Sequence, residues 1–209
     1  MTATAGKVVR EGSAVKRTAI LVAARDLFLA DGYERTSVDA VSAKAGVSKR
    51  TVYDYFGDKR ALLVAVVEEA GGALLATIRS AVTEELSDVA DLEAALVAFC
   101  ARVTRSAFGS SDYAALMRLT ATEAPQLPEL ADLWFASAPE EAIAERFAEL
   151  GAAGLLEAPD PRLAADHFVA LTFLLVSNRL GAGFVPDHPD VGPLMVAGVR
   201  AFLRAYAPR

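Results

Sequence analysis

Thr36–Phe56 reads TSVDAVSAKAGVSKRTVYDYF, which spells a helix, a tight turn and a second helix. Thr36 is placed to cap the first helix, and Asp39 three residues later completes a Ser/Thr-x-x-Asp/Glu capping pattern. Val38, Val41 and Ala45 recur at helical spacing and mark one inward face. Gly46 follows where a left-handed residue would end that helix. Ser48 is the next natural N-cap, with Val47 and Val52 placed to form a hydrophobic staple. Val52 and Phe56, four apart, define the buried side of the second helix. That leaves Lys49, Arg50, Thr51, Tyr53, Asp54 and Tyr55 on its other faces. A short helix that is apolar beneath and basic, hydroxylic and aromatic above suits the major groove of DNA. The stretch reads as a helix-turn-helix.

On the N-terminal side, Ile20, Leu21, Ala24, Leu27 and Phe28 predict an amphipathic helix from about Ala14 to Ala30, ended by Asp31-Gly32. Residues 1–12 are small and slightly basic, and read as a flexible tail or an arm on the DNA backbone. Lys16 and Arg17 fall in the first turn of the predicted helix, against its dipole. Either a nearby phosphate or a solvated surface pair accounts for them. Tyr33 crosses to the Thr36 helix, so residues 13–60 form a three-helix head with Ile20, Phe28, Val38, Val41, Val47, Val52 and Phe56 inside.

Charge separates this head from the rest. The chain has 209 residues, net charge −6 and 54% hydrophobic residues. Its sequence pI is near 5.0 and its mean hydropathy +0.32. Residues 1–60 hold 11 Lys+Arg against 7 Asp+Glu, including all five lysines, while residues 61–209 hold 10 Arg against 20 Asp+Glu. A basic head on an acidic body fits a nucleic-acid binder that the whole-chain pI conceals.

Residues 61–209 read as a helical body. Asp58 is a plausible N-cap for a helix through Leu62, Leu63, Val66 and Val67 to about Leu86, joining head to body. Gly71-Gly72 within it mark either a hinge or a close helix crossing. Further helices are expected over Asp91–Phe108, Asp112–Ala124 and Pro128–Leu150, where Pro139 either kinks the helix or starts a new one. Arg162–Leu180 is apolar on nearly every face and is expected to be buried all round. A final amphipathic helix carries Leu194, Met195, Val199, Phe202 and Leu203. The excess apolar surface of these last two helices points to a homodimer interface, with Phe168, Leu171, Leu175, Leu194, Val199 and Phe202 as its candidates. No strand alternation or repeat emerges, so the class is all-α, with about nine helices.

Residues 18–63 closely resemble the N-terminal domain of the TetR family of bacterial transcriptional regulators. Phe28, Asp31-Gly32-Tyr33, Thr36-Ser37-Val38, Ala45-Gly46-Val47-Ser48, Thr51-Val52-Tyr53, Tyr55-Phe56 and Lys59 carry the likeness. The resemblance implies an all-helical homodimer with a C-terminal ligand-binding and dimerisation domain, bound to a palindromic DNA operator and released by a small molecule. It implies phosphate contacts at Thr36, Tyr53, Tyr55 and Lys59, and base-edge contacts among Lys49, Arg50 and Thr51. Ser37 and Ser48, beside these at the helix starts, complete the DNA-binding set. Arg50 departs from the small residue often found there. It either reads guanine bidentately or pairs with Asp54 at i+4.

Rival chemistries find little footing. The two histidines, His167 and His188, show no metal-ligand spacing, and no phosphate loop, nucleophile elbow or carboxylate pair stands out. No catalytic residue, metal or cofactor is expected. Cys100 is single, in an apolar helical pattern, and reads as a buried thiol. The N-terminus lacks an apolar signal segment and Phe168–Val176 is too short to span a bilayer, so a cytoplasmic protein without membrane contact is expected. Phe99, Tyr113, Met117, Trp134, Phe135, Phe147, His167 and Thr172 are candidate pocket lining for a hydrophobic or aromatic effector.

Overall fold

The computed structural model describes residues 4–108, 115–116, 119–120, 122–123, 125–127, 129–130, 138–181 and 184–208. Among these residues every regular element is a helix. They are α1 (Thr4–Asp31), α2 (Val38–Ala45), α3 (Lys49–Phe56), α4 (Lys59–Glu85), α5 (Leu92–Phe108) and α6 (Ala138–Ala152). After α7 (Pro161–Val169) comes a π-helical turn (Ala170–Leu174), then α8 (Leu175–Leu180) and α9 (Val191–Tyr206).

Two compact units divide the chain: Met1–Ala70 with Ala115–Phe135, and Gly71–Ala114 with Ala136–Arg209. The sequence boundary at 60/61 is therefore displaced, for a physical reason. Leu62, Leu63, Val66 and Val67, the opening turns of α4, are buried with Ile20, Leu21, Phe28, Val41 and Val52 in the first unit's core. Leu116, Leu127 and Leu130 join the same core. Arg60 also pairs with Glu129 of that segment.

Helix α1 starts at Thr4, well ahead of the expected start near Ala14, so residues 4–12 are helix rather than tail. Lys16 and Arg17 then sit several turns inside α1, and the conflict with its dipole disappears. Val47 and Phe56, expected inside, are half-buried. Helix α4 is unbroken through Gly71-Gly72, and among the described residues a Cβ added at either glycine would meet nothing within 4 Å. No described residue crosses them closely.

In the second unit, Asp91 and Asp160 cap α5 and α7 through their carboxylates, at 3.1 Å to Ala94 N and 3.0 Å to Leu163 N. Pro139 is the second residue of α6, and the stretch before Ala138, on which a kink or a new start turns, lies outside the described residues. Phe147, Phe168 and Phe202 form an aromatic centre with ring centroids 5.2–5.4 Å apart. Phe99 adds to it at 6.0 Å from Phe168. The predicted Arg162–Leu180 helix is interrupted by the π turn, which inserts one residue and shifts the phase of everything after it. It is not buried all round: Leu163 and Leu174 are 47% and 53% exposed. Helix α9 crosses the π turn so closely that a Cβ on Gly198 would lie 2.0 Å from the Leu171 carbonyl oxygen.

By length and composition alone, Lys59–Glu85 and Pro161–Leu180 could cross a membrane, with hydropathy of 1.8 and 1.2, although the sequence reading found no such stretch. Each has another use for its apolar residues. Leu62, Leu63 and Ile78 of the first, and Ala164, Phe168 and Val176 of the second, are buried in the two cores.

Candidate nucleic-acid interface

The helix-turn-helix is fixed by side chains that complete the free ends of its backbone. Ser37 caps α2, its Oγ accepting from Ala40 N at 3.1 Å. Gly46, at φ 66°, closes α2, and the Val47 amide returns to the Ser42 carbonyl at 3.0 Å. Such a left-handed residue followed by a six-to-one hydrogen bond is how helices commonly stop. Ser48 then caps α3, its Oγ accepting from Thr51 N at 3.1 Å and sharing a hydrogen bond with Thr51 Oγ1 at 2.8 Å. Gly57, at φ 78°, ends α3.

Thr36 has a different task from the expected one. It does not cap α2. Its hydroxyl faces inward, 3% exposed as a residue, and lies within donor range of the Leu27 and Gly32 carbonyls at 3.1 and 2.8 Å. Thr36 ties the end of α1 to the start of α2 and presents no side chain to a phosphate. The capping pattern misassigned it because Ser37, one residue on, has the extended backbone that an N-cap requires.

On the outer side, Ser48, Lys49, Arg50, Tyr53 and Asp54 are exposed, with Thr51 and Tyr55 half-buried beside them. Tyr53 is the large aromatic of the face, at 44% exposure. Lys49 Nζ pairs with Asp39 of α2 at 2.9 Å, and this hydrogen bond holds its ammonium above the usual lysine range. Arg50 Nε stands 3.8 Å from Asp54, a loose and exposed pair that leaves its guanidinium able to swing away. Tyr55 is tethered: its hydroxyl donates to Ser13 O at 3.0 Å and lies 2.7 Å from Ser13 Oγ. Lys59 donates to the Tyr33 and Glu34 carbonyls at 2.8 and 3.3 Å, with its ammonium 4.2 Å from the centre of the Tyr33 ring. The structure thus brings Ser37, Ser48, Lys49, Arg50, Thr51 and Tyr53 to the outside of two consecutive helices, and employs Thr36, Tyr55 and Lys59 as internal ties.

Two helices joined through a left-handed glycine, the second outward-facing and polar on top, match a known grouping. Residues 20–66 match the description "Bacterial regulatory proteins, tetR family" and residues 94–208 match "AefR-like transcriptional repressor, C-terminal domain". The chain belongs to the TetR family of bacterial transcriptional regulators. It is similar over 93% of its length to 98% of a TetR-family regulator from Mesorhizobium loti, with TM-score 0.85 and 28% identity. The flavonoid-responsive regulator FrrA aligns over the same shares, with TM-score 0.68 and 32% identity. The HTH-type transcriptional activator FasR of Mycolicibacterium smegmatis is 32% identical over 84 residues, 40% of this chain and 38% of that protein's length. As a TetR-family member, the chain is a DNA-binding transcriptional regulator.

The other predicted sites fare differently. Phe99, Phe147 and Thr172 are fully buried in the second unit's core. Thr172 donates to the Phe168 carbonyl at 2.6 Å. His167 is exposed and bonds Tyr206 Oη through Nδ1 at 2.6 Å. Tyr113, Met117, Trp134 and Phe135 lie outside the described residues. Of the dimer candidates, Phe168, Val199 and Phe202 are each 0% exposed in the single chain and have no surface left for a second one. Leu171, Leu175 and Leu194 are half-buried. Leu163 and Leu174, outside the expected set, are the exposed large apolar side chains of this stretch.

Proposed function

We propose that this regulator binds a palindromic operator as a homodimer, one α3 in each half-site, and represses transcription until a small molecule bound in the second unit releases it. The observation that carries the reading is the outer face of α3, where Lys49, Arg50 and Tyr53 are exposed with Thr51 half-buried beside them. Hydroxyl and lysine groups suit phosphate oxygens, and an arginine reads O6 and N7 of guanine. Pairing two such heads supplies the base contacts that one lacks.

The dimer reading draws on Leu163 and Leu174, large apolar side chains left about half exposed on the α7–α8 helix, with Leu171, Leu175 and Leu194 beside them. Repression draws on the match of residues 94–208 to a repressor C-terminal domain. The alternative, activation, draws on the likeness of 84 residues to an activator. A hydrophobic or aromatic effector is in keeping with FrrA being flavonoid-responsive. Thr104 adds a polar handle: its Oγ1 is buried on α5 with no hydrogen-bond partner among the described residues, a deficit that an effector oxygen would relieve.

Selection of bound duplexes from a random pool tests the reading. The expected product is a palindrome with half-sites one helical turn or more apart. Arg50→Ala should then lose ~1–3 kcal/mol at that site and relax one base position, whereas equal loss on random DNA would make Arg50 a phosphate contact. Transcription from a template bearing the site separates repression from activation. A thermal-shift screen in which only charged, hydrophilic compounds stabilised the protein would contradict the effector class.

A further inference from the structure

The outer face of the helix-turn-helix carries an acid where a polyanion is to be met. Asp39 lies in the first turn of α2, and Lys49 opens the recognition helix α3. Their charged ends meet at 2.9 Å, with the Lys49 side chain 50% and the Asp39 side chain 68% exposed. The pair therefore stands on the surface rather than in the core. A carboxylate there repels phosphates, so it is a cost to DNA binding unless it has a use.

Its use is legible in what it holds. A lysine at the first position of a helix faces the positive end of the helix dipole, and the first turn of α3 contains no acid to offset it. Asp39 supplies that charge from the neighbouring helix, at the α2 terminus where a dipole favours an acid. The other cations of the motif are held differently. Lys44 pairs with Asp26 of α1 at 3.1 Å, and Arg50 faces Asp54 within its own helix at 3.8 Å. Lys49 is thus tied across the motif itself, helix to helix. An exposed ion pair biases an equilibrium by no more than about fivefold. A chance phosphate contact is a pair of the same kind, so exchanging Asp39 for a phosphate gains Lys49 little. A base acceptor is different. The ammonium has three N–H donors, and those not given to Asp39 are free for O6 or N7 of a guanine while the pair stays intact.

We propose that Asp39 is a specificity-determining residue that acts through Lys49, keeping its ammonium for a base acceptor and withholding it from the phosphates of unmatched DNA. Asp39 is a positioning residue in this scheme and touches no base. It lowers the affinity for random duplex and thereby widens the gap between operator and random sequence. The inference rests on α3 reading an operator, as proposed above.

The test is a double-mutant cycle in the full chain, with Asp39→Asn, Lys49→Gln and both together. Each is titrated on the selected operator and on a random duplex, between about 50 and 200 mM salt. Asp39→Asn should bind random duplex about two- to fivefold more tightly. Its plot of log affinity against log salt should steepen by up to about 0.9 for each bound protomer, the mark of one more phosphate neutralised. The operator should gain less, so the ratio of operator to random affinity falls. In the Lys49→Gln background, Asp39→Asn should change nothing. An equal gain in that background overturns the proposal, because Asp39 would then merely repel phosphates. An equal gain on both duplexes, or none on random duplex, overturns it too. Lys49→Gln alone should weaken the operator more than the random duplex, and equal losses overturn the proposal even if Asp39→Asn does not fold. Circular dichroism and thermal melting establish folding. Failure of the operator reading is separate: no palindrome would be enriched, while the random-duplex arms would still decide whether Asp39 withholds Lys49 from phosphates. No binding of the wild type to any duplex would overturn both.

Discussion

The two units reach their folds by different routes. In the first, short helices are positioned by their ends: Ser37, Gly46, Ser48 and Gly57 fix where α2 and α3 start and stop. In the second, long helices are positioned by their flanks, through an aromatic centre and a glycine crossing, and α7, the π turn and α8 run on without an end cap between them. A unit that must hold a few side chains at fixed positions on DNA is defined by local backbone hydrogen bonds. The second unit, built from longer helices, is defined by packing.

The contrast is open to direct attack. The largest effect should come from Gly198→Ala, which thrusts a Cβ against the Leu171 carbonyl oxygen at 2.0 Å. Backbone cannot swing aside like the end of a long side chain. We expect a loss of about 1–3 kcal/mol in chemical denaturation, with the α3 end caps undisturbed. If Gly198→Ala melts like the wild type, the crossing is not what positions α9. Next in size is Ser48→Ala, which removes the acceptor for Thr51 N and should cost about 1 kcal/mol. Because Ser48 starts the recognition helix, operator affinity should fall further than that loss of folding stability alone would cause. Equal falls would mean that the cap does no orienting.

The smallest effect concerns acid. The hydrogen bond from Arg60 holds the Glu129 carboxyl below its usual 4.5. Its contribution is therefore complete above that value and fades as pH drops through the lowered one. A slight destabilisation confined to that acid range should vanish in Glu129→Gln. A difference that persisted at neutral pH would make the pair a packing feature instead.

How legible each unit was in the sequence follows from the same contrast. Gly32, Gly46, Ser48, Gly57 and Asp58 mark their turns with single residues, so the boundaries of α2 and α3 were readable directly. Thr36 was misread because its neighbour Ser37 offers the same chemistry, and only the backbone chooses between them. The length of α1 was hidden because helix propensity is weak where no apolar stripe recurs. In the second unit the all-apolar helix was recognised but its π turn was not, since no residue type encodes an inserted residue when every face is apolar. That single insertion decides which side chains turn inward. Leu174, inside the turn, is exposed, whereas Phe168 before it and Val199 and Phe202 on α9 are interior for a separate reason, their place in the aromatic core.

One buried atom gives the second unit a clock. Burial pushes the Cys100 thiol up to about 12, opposed only in part by its hydrogen bond with Thr172. At neutral pH it stays protonated and out of reach of aqueous reagents. The sole cysteine of the chain can then be alkylated only from molecules in which α5 and the π turn have parted. The rate of its labelling is a running count of such openings. Any small molecule that braced this unit would slow that count whether or not any DNA is in the tube.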